Sequence, residues 1–373
     1  MTKRVIFSFF AGAGFLDLGF ELSGFKVAFV NELESSFLDA YKFARSKMGL
    51  PETLYGYHQG DMAGLTKGKG RKNLNSIIND VRKHKAVIGF IGGPPCPDFS
   101  IAGKNKGKDG IHGKLSTTYI TLISQQKPDF FLFENVKGLW KTKKHRLFYE
   151  ELKVNLQKNG YVLTERLINA LEYGVPQDRD RIILVGFKKE MIPSKLLDPK
   201  RRNVLNHDAF PWSEYIKYPR EEIFAKYKAA RSLYEKPLSK KPRGIPVETT
   251  VEYWFKKNSV TKHPNAKHYF KPKSLLRFKE TKEGDVSRKS FKRLHRWRYS
   301  PTVAYGNNEV HLHPLEPRRL SAAEALSLQS LPKGFVFPDT MTLSEMFKAI
   351  GNGVPFVAAK SVAETIKIFL NTL

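Results

Sequence analysis

Residues Val5-Ile6-Phe7-Ser8-Phe9-Phe10-Ala11-Gly12-Ala13-Gly14 join a short apolar run to a glycine-rich turn. The run has the length and the aromatic composition of a buried strand, and the glycines mark its end. Helix-favouring sequence follows to about Ser23-Gly24, and Phe25-Lys26-Val27-Ala28-Phe29-Val30 is typical of a second strand. A strand, a glycine turn, a helix and another strand form the unit from which parallel α/β sheets are built.

The same alternation continues as far as Phe187. We expect further strands over 87–91, 129–134, 161–169 and 181–187, and a helix over 115–126. The sequence therefore predicts an α/β fold with a doubly wound, mostly parallel sheet. In such a sheet, functional groups gather beyond the carboxyl ends of the strands.

The composition of the sequence changes from about Lys188, where prolines and lysines become frequent and the apolar residues follow no regular helix or strand period. We expect a second, smaller and irregular domain there. Regular structure returns near residue 321, because Ser321 and Glu324 form a capping box ahead of a helix that Pro332 stops. The segment 351–355 then precedes a final amphipathic helix that runs to Leu370.

Charge is the strongest compositional feature, since the 373 residues carry a net charge of +28. A lysine-rich genome would spread such an excess evenly, but here it is clustered. Residues 256–298 hold fifteen Lys or Arg against three acids, whereas the first sixty residues hold six of each. Clustering favours a polyanionic partner, and nucleic acid is the most common one.

Neither a transmembrane span nor a signal segment is predicted, because every apolar run is too short and the start leads directly into a strand. A single cysteine agrees with a reducing compartment. These features predict a cytoplasmic protein.

That cysteine, Cys96, lies in Gly92-Gly93-Pro94-Pro95-Cys96-Pro97-Asp98-Phe99-Ser100, directly after the predicted strand 87–91. A strand that ends in a rigid turn carrying a thiol is one way to present a nucleophile. The alternative is a small buried hydrophobic side chain, which is the usual fate of a lone cysteine. Position alone favours the nucleophile only modestly.

A nucleoside site is predicted at the first two strands. The turn 10–14 alone is a weak signal for a nucleotide-type ligand. Glu32, at the end of the second strand, has the position from which acids bind ribose hydroxyls, and Asp61 has a place near an adenine amino group. Each of these acids alone is more often a solvated carboxylate. There is no phosphate-binding lysine motif, which favours a ligand without a triphosphate.

Two further segments carry chemistry. Glu134 lies at the end of an apolar predicted strand. Partial desolvation there should raise the pKa of its carboxyl group, which suits the group to proton transfer. In Gln177-Asp178-Arg179-Asp180-Arg181, alternation places Gln177, Arg179 and Arg181 on one face. Two guanidiniums beside a carboxylate and a thiol would bind anions and polarise a carbonyl, although a surface ion-pair ladder has the same pattern.

In this order and spacing, the motifs resemble those of the DNA (cytosine-5)-methyltransferases that use S-adenosylmethionine. The resemblance covers about 1–187 and 299–373. It rests on these segments: Phe10 to Gly14, Asn31-Glu32, Gly60-Asp61, Pro94-Pro95-Cys96, Glu134-Asn135-Val136, Gln177 to Arg181, Arg318 to Pro332 and Gly351-Asn352-Gly353.

The resemblance implies a covalent mechanism on a flipped-out cytosine. Cys96 would attack C6, Glu134 would hydrogen-bond or protonate N3, and Arg181 with Arg179 would bind the base carbonyl and support the loop. The last helix would return beside the first glycine loop to complete the S-adenosylmethionine pocket. The residues it assigns to that cofactor are Phe10, Ala11, Gly12, Gly14, Glu32, Leu33, Asp61, Met62, Pro94, Asn352 and Val354.

The resemblance also implies a division of the chain. Residues 1–187 plus 333–373 would form the catalytic and cofactor-binding domain, and 188–332 the target-recognition domain and hinge. The partner would be double-stranded DNA, bound by a monomer associated with the nucleoid. We expect either a restriction–modification system, whose endonuclease acts on the same site without touching this chain, or an orphan bacterial or phage methylase. The recognised DNA sequence cannot be derived from these residues.

Three positions depart from the pattern of the family. Ser8 replaces a frequent aspartate, Phe15 a common glycine and Pro97 the glutamine that usually follows the cysteine. Two other functions stay open at this point. One is the tRNA-methylating branch, which typically has a smaller recognition region. The other is a non-catalytic DNA-binding relative, which should have lost the nucleophile or the acid.

Overall fold

A seven-stranded sheet forms the centre of the protein, in a computed structural model that describes residues 3–95, 111–235, 238, 240–272, 274–288, 290–302, 305 and 310–373. Its strands stand in the order β3-β2-β1-β4-β5-β7-β6. Neighbours from β3 to β5 are parallel, whereas β7 runs antiparallel to both β5 and β6. The strands are β1 (Arg4–Phe9), β2 (Lys26–Glu32), β3 (Tyr57–Gln59), β4 (Val87–Gly92), β5 (Phe130–Val136), β6 (Tyr161–Asn169) and β7 (Asp180–Lys188).

Helices cover both faces of this sheet. The helices are α1 (Phe15–Glu21), α2 (Ser35–Lys47), α3 (Gly68–Lys83), α4 (Ile111–Gln126), α5 (Lys137–Lys141), α6 (Lys143–Lys158), α7 (Arg220–Ala229), α8 (Val251–Lys257), α9 (Leu276–Glu280), α10 (Ala322–Leu328), α11 (Leu343–Asn352) and α12 (Phe356–Thr372). Apolar side chains of α3, α4 and α6 share one core with the sheet, and those of α1, α2 and α12 share the core on its other face.

The predicted doubly wound, mostly parallel sheet is confirmed. The prediction named neither β3 nor the helices α2, α3, α5, α6 and α11. It also placed Glu134 at the end of a strand, whereas β5 continues for two more residues to Val136.

The last helix, α12, packs against α1, the helix that follows the first glycine loop. At Gly19 of α1, an added Cβ would lie 2.7 Å from the backbone nitrogen of Lys360 in α12. Only glycine allows this approach. The contact between α1 and α12 therefore holds α12 near the first glycine loop.

The region after β7 is irregular, as expected, with short helices and one two-stranded sheet of β8 (Lys292–Arg293) and β9 (His311–Leu312). Arg293 is buried and donates to the backbone carbonyls of Thr281, His313, Glu316 and Phe278. One member of the basic cluster 256–298 therefore holds loops together rather than facing solvent. The capping box of Ser321 and Glu324 is confirmed at the start of α10.

Within the described residues, none of the helices has the length and apolar character needed to cross a membrane.

Candidate active site

An ion pair between Glu134 and Arg181 forms the centre of the candidate site. The antiparallel register places Arg181 of β7 opposite Val136 of β5, so the side chains of Arg181 and Glu134 are diagonal neighbours on one face. Arg181 Nε lies 2.7 Å from Glu134 Oε1. Burial raises the pKa of Glu134, although the nearby guanidiniums of Arg181 and Arg179 oppose that shift. The carboxyl group thus combines burial with a fixed orientation, as proton transfer requires.

The turn after β4 passes against this carboxylate. A Cβ added at Gly93 would lie 2.6 Å from Glu134 Oε2. Asn135 Nδ2 donates to the carbonyl of Pro94 at 3.3 Å. Two successive residues of β5 therefore hold the backbone that leads to Cys96. Cys96 itself lies outside the described residues, as do Pro97 and Asp98.

Arg179 is buried beside this ion pair and donates to a neighbouring segment. Its side chain is 1% exposed and donates to the carbonyls of Gly351 and Gly353 at 2.7 and 2.9 Å. The resemblance implies that Arg179 helps Arg181 to bind the base and supports the loop. These two hydrogen bonds fix the end of α11, which carries Asn352, and the turn after it, which carries Val354.

Two buried glutamines extend the same network. Gln177 Nε2 donates to the carbonyl of Leu328 at 3.1 Å and to Gln329 Oε1 at 3.2 Å. Gln329 in turn donates to the carbonyls of Ile350 and Gly353. Gln177, Arg179 and Gln329 thus connect the strand that carries Arg181 to the turn predicted to contact the cofactor.

The aspartates of the same motif lie on the other side of the strand. Asn169 Nδ2 donates to Asp178 at 2.8 Å and to Asp180 at 2.9 Å. Asp180 also accepts from Lys137, directly after β5, and from Arg220 of α7 at 2.7 Å. These contacts tie β5, β7 and the region after β7 together beside the ion pair.

Glu32 accepts hydrogen bonds from the glycine loop and from the residues that follow β2. Its Oε2 accepts from the amide of Gly12 at 2.7 Å, and its Oε1 accepts from the amides of Leu33 and Glu34 at 2.9 and 3.0 Å. The loop itself uses left-handed backbone at Phe10, with φ of 55°, and again at Gly12. Because nothing lies within 4 Å of a Cβ at Gly12, the loop leaves open space beside the carboxylate.

Asp61 is held at the end of β3. Asn31 Nδ2 donates to the carbonyl of Gly60 at 2.8 Å, and Asp61 Oδ1 accepts from the amide of Ala63 at 2.8 Å. The Asp61 side chain is exposed, with one oxygen left to accept from a ligand. Two carboxylates at neighbouring strand ends, with an open glycine loop on the far side of Glu32 from Asp61, fit the ribose and the adenine of a nucleoside.

The remaining residues predicted for the cofactor differ in accessibility. Phe10 is half-buried, with its ring edge-on to Tyr119 at 6.1 Å. The exposed ones are Leu33 and Asn352, the buried ones are Met62, Pro94 and Val354, and Ala11 is intermediate.

Ser8 and Phe15, two of the positions that depart from the family pattern, each make a specific contact in the structure. Ser8 Oγ donates to Asp17 at 2.8 Å, and Tyr41 Oη donates to the same buried carboxyl at 3.0 Å. The Phe15 ring lies where a Cβ on Gly353 would approach it to 2.1 Å. The buried hydroxyl of Ser8 needs an acceptor, and that Asp17 supplies it could not be predicted from the sequence.

Stability should depend on pH through Asp17. Burial raises its pKa from 3.8 to about 6, so the folded state keeps a proton that the unfolded state releases between these values. Stability from this group is present at low pH and is lost as pH rises through about 6. The free energy of unfolding of the wild type relative to Asp17→Asn should fall by about 2 kcal/mol from pH 4 to pH 7.

Chemical denaturation at several pH values measures this difference. Asp39→Asn removes an exposed carboxyl from α2 and is the matched control, which should follow the wild type. Parallel pH profiles for the wild type and Asp17→Asn would contradict the prediction.

Comparison with known proteins gives a family match over nearly the whole chain. A family model described as C-5 cytosine-specific DNA methylase matches residues 5–368. The chain is 54% identical over 369 residues to the Type II methyltransferase M.NmeDI of Neisseria meningitidis serogroup C, covering 99% of this chain and 84% of that protein. It is 30% identical over 381 residues to the Type II methyltransferase M.XorII of Xanthomonas oryzae pv. oryzae, covering 98% and 85%.

Solved structures share the fold. A putative DNA modification methyltransferase encoded within an E. coli prophage superposes with a TM-score of 0.64 at 23% identity, covering 99% of this chain and 100% of that one. DNMT2 of Spodoptera frugiperda gives a TM-score of 0.60 at 15% identity, with the same coverage.

Proposed function

On the premise that the chain belongs to the C-5 cytosine-specific DNA methylase family, we propose that it methylates C5 of a specific cytosine in double-stranded DNA. The methyl donor is S-adenosylmethionine, and the reaction passes through a covalent bond to Cys96. Both relatives described above are named Type II methyltransferases, which supports a place in a restriction–modification system. The cognate endonuclease then acts on the same site without contacting this chain, which works as a monomer in the cytoplasm.

One observation carries this proposal: the Glu134–Arg181 ion pair lies against the turn that leads to Cys96. Cys96 follows Pro94 by two residues, and the Pro94 carbonyl is bonded to the residue next to Glu134. Two neighbouring parallel strands, β4 and β5, therefore bring the acid next to the residues that lead to Cys96.

The reaction needs both groups because an aromatic C5 is a poor nucleophile. The Cys96 thiolate adds to C6 of a flipped cytosine, and Glu134 gives a proton to N3 as negative charge enters the ring. Arg181 keeps the carboxyl in position and donates to the base carbonyl. Once C5 carries the methyl group, water takes the C5 proton and the electrons of that C–H bond expel Cys96 as its thiolate. N3 returns its proton to Glu134, so the aromatic ring is restored.

The cofactor side fits the proposed methyl donor. Glu32 and Asp61 would hold the ribose and the adenine, with the glycine loop beside Glu32 and with Asn352 at the end of α11, next to the turn that Arg179 fixes. S-adenosylmethionine supplies an electrophilic methyl group when it is bound there. The role of Arg179 is then to position that turn, while Arg181 acts at the base.

We also propose the division into a catalytic part, 1–187 plus 333–373, and a target-recognition part with its hinge, 188–332. The exposed members of the basic cluster 256–298 would contact phosphates, and a minority would contact base edges. Arg293 is excluded from that role by its four carbonyl partners.

Incubation with labelled S-adenosylmethionine and duplex DNA tests the proposal directly. We expect 5-methylcytosine as the product, and DNA that carries 5-fluorocytosine at the target should trap a denaturation-resistant complex. Preferential labelling of tRNA would overturn the choice of substrate. Tight DNA binding without trapping or methylation would indicate a non-catalytic protein.

A further inference from the structure

The N-termini of three helices lie at the edge of the sheet that carries the candidate site. The helices α3, α4 and α6 pack on one face, and each lies between the carboxyl end of one strand and the start of the next. The strand before α4 is β4, which leads to Cys96, and the strand before α5 and α6 is β5, which carries Glu134. The first residues of all three helices therefore lie at the edge where the flipped base must enter.

These starts are cationic and exposed. The first turns of α3, α4 and α6 hold no acidic residue. Among the described residues, none of the exposed cations at these starts has a carboxylate within ion-pair distance. We call this set the cationic edge: Lys67, Lys69, Arg71, Lys72, Lys114, Lys141, Lys143 and Lys144.

Uniform lysine enrichment does not explain this arrangement. The amino end of a helix carries partial positive charge, which favours acids and disfavours cations. The helices α7, α8, α10 and α11 follow that rule, since each has glutamate in its first turn. The five-residue helix α9, in the basic cluster 256–298, also begins with cations and no acid. Apart from α9, the described helices that begin with cations alone lie in the layer beside the candidate site, where an external anion would offset their repulsion.

The extent of the cationic edge indicates a polyanion. The helices α4 and α6 are in contact, and the 3-10 helix Met62–Thr66 lies between α3 and α4. With packed helices about 10 Å apart, the starts of α3 and α6 lie about 20 Å from each other. A single small anion cannot span that width, whereas duplex DNA carries a negative charge about every 1.7 Å along its axis.

We propose that the cationic edge is a second contact surface for the DNA backbone, separate from the recognition region after β7. The inference rests on the proposed function, because it takes the same DNA as the partner. Lys141, Lys143 and Lys144 are the members nearest in sequence to Glu134. They contact phosphates that flank the flipped cytosine and hold the duplex against the catalytic part.

A matched pair of triple variants tests this surface. The variant Lys141→Gln, Lys143→Gln and Lys144→Gln removes three charges from the cationic edge. Lys85→Gln, Lys127→Gln and Lys158→Gln removes three exposed charges from the opposite edge, just before β4, β5 and β6. Binding of a mixed-sequence DNA duplex is measured by fluorescence anisotropy over a salt series, which gives the slope of log K against log salt.

The cationic-edge variant should lose about 2.7 from the magnitude of that slope, since each phosphate contact contributes about 0.9. The control variant should keep the wild-type slope. Equal changes in both variants, or none in either, would overturn the inference. Methylation of DNA by the wild type is assayed separately. If methylation occurs but the two variants have the same salt slope, only the inference about the cationic edge is wrong. If methylation does not occur, the proposed function is wrong.

Discussion

Replacing Cys96 by serine is expected to lower kcat for DNA methylation by about 10⁴-fold or more, the scale on which removing a nucleophile lowers kcat in covalent catalysis. A serine hydroxyl is far less acidic than a thiol and a weaker nucleophile, so almost none of it is available to attack C6. Methyl transfer from labelled S-adenosylmethionine gives the rate, and 5-fluorocytosine DNA reports the covalent step. The variant should still bind duplex DNA, because the basic surfaces are unchanged.

The single cysteine provides an independent check. A thiol-alkylating reagent has one possible cysteine target in this chain, so one equivalent of modification should abolish wild-type activity. DNA and S-adenosylmethionine together should slow that modification. Full activity of Cys96→Ser, or of the fully alkylated enzyme, would show that the reaction does not pass through this thiol.

Most of the sheet could be predicted because its central strands are apolar runs that end at glycine or polar residues. The strand β3 escaped prediction because Tyr57–Gln59 is short, lies at the sheet edge and has no apolar run. The antiparallel direction of β7 relative to β6 could have been predicted from the short connection between these two strands. Only residues 170–179 separate β6 from β7, and a parallel neighbour needs a crossover of about a dozen residues or more.

The candidate site was predictable to the extent that its chemistry is local in sequence. Glu134 and Arg181 were identified from their motifs, and the antiparallel register brings them together. The direction of Arg179 could not be predicted, because its carbonyl acceptors Gly351 and Gly353 lie more than 170 positions away. Alternation along a strand gives the face of a side chain, but not the turn that packs against that face.

Phe15 and Gly353 illustrate the same limit. Phe15 departs from the family pattern, and the sequence alone gives no reason for it. In the structure, its ring fills the space that the missing side chain of Gly353 leaves, and it packs edge-on against Phe335 at 5.1 Å. The departure at one motif is therefore accommodated by a glycine in another.

Replacing Glu134 by glutamine is expected to lower kcat by about 10²- to 10⁴-fold, the range for loss of a positioned proton donor. Glutamine has the same shape but cannot give a proton to N3. The pH dependence should change as well. Because burial raises the pKa of Glu134, its protonated form is present at low pH and is lost as pH rises through that pKa. The rate of the wild type should therefore fall as pH rises, which gives its pH profile a basic limb. The pH profile of Glu134→Gln should lack this limb.

Glu172→Gln is the matched control for this variant. Glu172 is also buried, burial also raises its pKa, and it pairs with Arg166 at 2.7 Å. Its other partner is the amide of Asn169, so its role is to cap a 3-10 helix outside the Glu134–Arg181 pair. Glu172→Gln should lose stability but keep kcat and the basic limb at temperatures where it is folded. Equal loss of kcat in both variants would mean that burying a carboxyl, rather than placing one at the base, accounts for the effect of Glu134.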